Sequence, residues 1–157
     1  MQNDEAIKRQ IKRREAPGAQ STEAVRSALT TRFDAAEIGL TARAVPLSPL
    51  TVRVEARIDA HDVVLVYQGD SYRGELRIAY GALVPGGQPA FGPVMPYNLN
   101  LSPQDRDKAF DQGIAVTQTL KLNENAAAVR LIVIDRSSRA IGSVTVPVPE
   151  KAAGKPK

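Results

Sequence analysis

The chain has 157 residues, 43% hydrophobic and 24% charged, with no Cys, no Trp and a single His. That content supports one domain with a packed core and excludes wholesale disorder, and no stretch approaches the ~20 apolar residues of a membrane-spanning helix. The missing thiols exclude disulfide scaffolds, thiolate zinc sites, iron–sulfur clusters and cysteine nucleophiles, while leaving the redox compartment open. The net charge of +4 sits at the ends. Residues 1–32 hold seven bases against four acids and residues 150–157 three against one, so residues 33–149 carry a net −1. A body without a concentrated basic face is not expected to bind nucleic acid.

Residues 1–15 are highly charged around Ile7 and Ile11, which sit four apart and give a helix too narrow a stripe to bury. No apolar run comes after the charges, so a signal peptide is not expected. Pro17-Gly18 breaks any helix, and residues 1–20 are expected to form a flexible arm. Ser21 or Thr22 then caps a short helix to about Thr30. Its Val25, Ala28 and Leu29 fall at i, i+3 and i+4 and should dock on the segments C-terminal to it.

From there the period changes to two. Residues 50–58, Leu-Thr-Val-Arg-Val-Glu-Ala-Arg-Ile, alternate apolar and polar without a break, which puts every apolar side chain on one face of a strand. Residues 37–45 read as another strand, with Gly39 a candidate bulge. Residues 63–67 are a short apolar run before a Gln68-Gly69-Asp70 turn. Leu76, Ile78 and Tyr80 alternate up to Gly81, a second candidate bulge. Met95, Tyr97, Leu99 and Leu101 alternate. Ser102 then N-caps a short helix with Pro103 at N1 and Asp105 at N3, closed by Gly113. Ile114, Val116, Leu120 and Leu122 keep period two, with Gln118 the inward-pointing exception. Residues 129–135 are nearly continuously apolar, as in a strand covered on both faces. A hairpin connection over 136–139 leads to a last strand over 141–148. Seven or eight strands with short connections and one or two short helices predict an all-β, immunoglobulin/fibronectin-III-like antiparallel β-sandwich over residues 21–149, with a disordered basic tail over 150–157. Residues 83–96, dense in Pro and Gly, read as an irregular loop with Ala90-Phe91 tucked onto the sheet end. A plain excursion and a recognition loop both fit it.

His61 is the one imidazole available as base or ligand. With Asp59 and Asp62 it makes a candidate metal cluster, but the position is also a strand-ending turn where Asp favours backbone bonding, and no fourth ligand lies nearby. There is no Gly-x-Ser-x-Gly elbow, no Ser-x-x-Lys and no phosphate loop. Asp105, Asp107 and Asp111 interleave with Arg106 and Lys108, the pattern of a solvated helix face. No catalytic residue, metal site or cofactor is expected, and the binding residues are not fixed by the sequence.

Residues 128–143 read Ala-Val-Arg-Leu-Ile-Val-Ile-Asp-Arg-Ser-Ser-Arg-Ala-Ile-Gly-Ser, and a Val-rich run then reaches Val148-Pro149. This resembles the last hairpin of the von Willebrand factor A-related proteins common in Acidobacteria. There, an Arg-hydrophobic-x-Val-x-Asp strand meets a Ser/Gly/Arg turn, then Gly-Ser and a Val-rich strand ending in Val-Pro. The short Ala/Leu helix and the alternating strand ending near Ile58-Asp59 are similar too, so the resemblance covers about residues 22–149. It implies a β-sandwich that comes after the A domain in exported proteins, secreted or periplasmic, with no catalytic residues of its own. The A domain's Asp-x-Ser-x-Ser cation site is not reproduced: Asp135-Arg136-Ser137-Ser138-Arg139 places Arg139 at the last ligand position. The expected function is thus structural or protein-binding, with the A domain or another chain as partner. A ligand-binding sandwich taking carbohydrate or a metal ion is the alternative, with Tyr67, Tyr72 and Tyr97 the aromatic candidates.

Overall fold

The computed structural model describes residues 35–87 and 89–149. The arm over 1–20, the helix expected from Ser21 to Thr30 and the tail over 150–157 lie outside the described residues. Among the described residues, nine strands and one α-helix occur in this order: β1 (Leu40–Ser48), β2 (Thr51–Ile58), β3 (Val66–Gln68), β4 (Ser71–Leu83), β5 (Ala90–Phe91), β6 (Met95–Leu101), α1 (Pro103–Gln112), β7 (Ile114–Lys121), β8 (Ala128–Asp135) and β9 (Ile141–Pro147). A 3-10 turn at Ala60–Asp62 comes after β2. All strand pairs are antiparallel and fall in two sheets. The smaller sheet runs β1-β2-β7. In the larger, β8 and then β9 lie on one side of β4, with β6 and the short β5 on its other side. Nine strands replace the expected seven or eight because β3 and β5, three and two residues long, are too short to show a period.

The alternation over 50–58 becomes β2. Its inward Val52, Val54, Ala56 and Ile58 are buried, while Arg53, Glu55 and Arg57 point away from the core. Across from them, β8 and β4 supply Val129, Leu131, Val133, Leu76 and Ile78. Burying each of these side chains contributes about 1.5–3 kcal/mol. β8 is buried from Val129 to Asp135 on both faces, as its continuous apolar run implied. The helix forms as its caps dictate: Ser102 Oγ accepts the Asp105 N–H (3.1 Å), Pro103 fills the first turn and Gly113 closes it.

Neither glycine bulge is present. The β4–β8 ladder runs unbroken through Gly81↔Arg130. Gly39 lies just ahead of β1, its N–H donating to Asp62 Oδ2 (2.8 Å), and the irregularity of β1 falls between Pro46 and Ser48. The chain passes from one sheet to the other just before β1. Ala36 bridges Gly142 on β9, and a few residues later the chain enters the three-stranded sheet. At Gly142 a Cβ would overlap the Ile38 carbonyl and Cβ, so this crossing needs glycine.

Candidate functional site

At one end of the sandwich β4 extends beyond β8 and pairs with β3 instead. Gly69 (φ 58°) and Asp70 (φ 73°) both take positive φ, the requirement of a two-residue type I′ hairpin. That turn pairs Gln68 with Ser71 and sets Tyr67 directly opposite Tyr72. Their rings meet with centroids 4.9 Å apart, tilted by 50°, within the range of a favourable aromatic pair.

The helix extends the row. Arg106 and Phe110 are four apart and so share a helix face. The Arg106 guanidinium lies over two rings, 4.8 Å from the Tyr72 centroid and 4.2 Å from that of Phe110, each contact contributing about 0.5–1 kcal/mol. Beyond Phe110 the His61 ring lies at 4.4 Å, tilted by 57°. The result is a continuous strip, Tyr67–Tyr72–Arg106–Phe110–His61, contributed by a hairpin, a helix and a 3-10 turn. Tyr67 is 57% exposed, so the strip ends in an aromatic ring open to solvent. A groove of about 430 Å³ opens beside its other end, with Asp59, His61, Phe110 and Asp111 on its wall.

The groups that suggested metal or acid–base chemistry have structural duties. Asp59 Oδ1 accepts the His61 backbone N–H (2.9 Å) and lies 2.9 Å from His61 Nδ1. The backbone N–H first, and the ring second, hold the Asp59 carboxyl below the ordinary carboxylate range. Asp62 accepts the Gly39 N–H. Among the described residues no three His, Asp or Glu side chains gather as a metal site. Asp105, Asp107 and Asp111 are exposed on the helix, with Asp107 3.5 Å from Arg106. At the end of β8, Asp135 is fully buried. Its Oδ2 accepts the Val64 N–H (2.7 Å) and its Oδ1 the Ser137 N–H (2.8 Å), which pins the β2–β3 connection to the β8–β9 turn.

Tyr97 stands apart from the other two tyrosines. It packs on the core, and its hydroxyl donates to the Ala115 carbonyl (3.4 Å) across the gap between the sheets. On that open side a cleft of about 260 Å³ lies between Tyr80, Met95 and Gln118. Gln118 faces inward in register, opposite Val54, yet remains exposed because the sheets part there. Burial, with Tyr97 beside it, pushes the Tyr80 hydroxyl up to about 12. The Pro/Gly-rich loop lies toward the other end of β4, where Phe91 and Val94 pack on Ala79, Ile132 and Ile134. Sequence reasoning weighs the tyrosines and His61 separately and misses Arg106 and Phe110, whose i, i+4 spacing behind a capping Ser102 is the available signal.

No family model matches this chain, and no curated protein does. Among solved structures, it is similar to a superoxide reductase (neelaredoxin) from Ignicoccus hospitalis, with a TM-score of 0.39 and 10% identity over 77% of this chain and 84% of that one. It is also similar to part of a β-glucosidase from Listeria innocua in complex with gluconolactone, with a TM-score of 0.32 and 13% identity over 74% of this chain and 16% of that one. Likeness this distant carries no functional argument.

Proposed function

We propose that the chain is a non-enzymatic sandwich module of the immunoglobulin/fibronectin-III type that binds a protein partner through the aromatic strip. Strand order supports the finer fold: β1-β2-β7 facing β6-β4-β8-β9 corresponds to strands A-B-E facing C′-C-F-G of such sandwiches. The observation that carries the function is the strip itself. Aromatic and Arg side chains, stacked on rigid elements and ending in exposed Tyr67, have the composition of an interface centre. Buried Asp135, and Asp59 and Asp62 at the turn, spend their oxygens on backbone N–H groups, which favours a binding over a catalytic reading. In the resemblance to von Willebrand factor A-related proteins, the partner is the A domain or another chain of an exported assembly.

The test is an NMR titration of the labelled chain with a separately produced A domain of that family. The expected shift changes centre on Tyr67, Tyr72, Phe110 and His61 and vanish in Tyr67→Ser. Changes confined to the Pro/Gly loop, or unaltered binding by Tyr67→Ser, would contradict the reading. The exposed ring of Tyr67 favours a second one, a sugar platform. Affinity electrophoresis through soluble polysaccharides separates the two, because retardation lost in Tyr67→Ser belongs to the sugar reading alone.

A further inference from the structure

The two sheets are joined on one side and part on the other. On the joined side Ala36 bridges Gly142 as the chain crosses between them. On the other side the facing edges are β6 and β7, which meet at Tyr97, whose hydroxyl donates to the Ala115 carbonyl (3.4 Å). Farther along β7 they diverge and leave the cleft of about 260 Å³. Side chains that register assigns to the core line it. Met95 is opposite buried Ile78 and Gln118 opposite buried Val54, yet Met95 is 49% exposed and Gln118 is exposed as well.

The wall is sorted by chemistry. Met95, Leu120 and Leu122 make it apolar, and the two leucines continue the core cluster of Val52 and Val54. Tyr80, Gln118 and Lys121 supply polar side chains. Among the described residues on the wall no acid occurs, and Lys121 is the single charge. Neither the Tyr80 hydroxyl nor the Gln118 amide has a hydrogen-bond partner among the described residues. With its pKa pushed up to about 12, the Tyr80 hydroxyl keeps its proton to donate. Three side chains that can donate, one of them cationic, beside an apolar wall complement a carboxylate on an apolar body. A cavity of about 150 Å³ takes benzene, so 260 Å³ has room for a ring with a short side chain.

We propose that the cleft binds a small free carboxylic acid with an apolar, ring-sized body, the body resting on Met95, Leu120 and Leu122 and the carboxylate accepting hydrogen bonds from Tyr80, Gln118 and Lys121. Such a ligand covers a Met95 side chain that the fold leaves wet and pairs two polar groups that it leaves unpaired. The site is separate from the aromatic strip, and it stands whether or not the strip binds a protein.

The probe is cinnamate, with cinnamyl alcohol as its uncharged counterpart. The chain has two methionines, so labelled methionine methyls give Met95 its own NMR signal. Saturable shifts of the Met95 methyl and the Gln118 side-chain amide are expected with the acid, while the signals of Tyr67 and His61 stay in place. Replacing the acid by the alcohol, Lys121→Gln and Tyr80→Phe are each expected to weaken binding about tenfold. Both variants keep the fold, since Lys121 is exposed and Tyr80→Phe retains the ring. No saturable shift at millimolar acid overturns the proposal, as does equal affinity for the alcohol or unchanged affinity in both variants. Met95 shifts that follow protein concentration without the probe would make a second copy the occupant, which overturns it too.

Discussion

On β2 the outward side chains Arg53, Glu55 and Arg57 face solvent, and Glu55 is held from two sides, by Arg43 at 2.7 Å and Arg53 at 2.8 Å. On β8 the outward side chains Arg130, Ile132 and Ile134 are buried. One sheet thus ends in a polar, ion-paired surface and the other in an apolar face under cover. Surface ion pairs contribute little to stability, so the first face is about solubility and the second about packing. With both faces occupied in these ways, the stacked aromatic surface falls to an end of the sandwich, where a hairpin, a helix and a 3-10 turn converge.

The contrast breaks most severely where the chain passes between the sheets. Gly142→Ala sets a Cβ against the Ile38 backbone, which cannot move without detaching residues 35–37 from β9. A loss of about 3 kcal/mol, or roughly 10 °C in Tm, is expected by thermal unfolding. Asp135→Asn comes next. The amide keeps one acceptor oxygen but turns a donor toward an N–H, for a cost of about 2 kcal/mol in urea unfolding; the β2–β3 connection that leads to Tyr67 should loosen with it.

The smallest effect is on the wet side. Hydrogen bonds from Arg43 and then Arg53 lower the Glu55 pKa, and His61 lowers that of Asp59. A carboxyl depressed in the folded state contributes stability above its unfolded value and loses it as pH falls through the folded one. The urea midpoint is therefore expected to drop from about pH 5 to about pH 3, with a shallower slope in the Glu55→Gln, Asp59→Asn double variant. An unchanged slope would show that neither pairing persists in solution.

How much of this is readable beforehand depends on how local each rule is. β2, the Ser102 cap and the Asp59 turn are legible because alternation, capping and Asx bonding act within a few residues. β8 is legible as doubly covered because no polar residue interrupts it between Leu131 and Ile134. The strip is not, since Tyr72 meets Arg106 only after β6 and the helix return the chain to the same end. Nor is the duty of Asp135, whose partner Val64 lies 71 positions away. Gly39 and Gly81 mislead because glycine in a strand signals either a bulge or a close approach.

Hydroxyl-radical footprinting of the unmodified chain, resolved by residue, tests the unequal faces and the exposed end together. Tyr67 and Val66 should oxidise readily while Ile132 and Ile134 stay protected to the level of core Ile58. Oxidation of Ile132 and Ile134 as fast as that of exposed Leu47, or protection of Tyr67, would contradict the account.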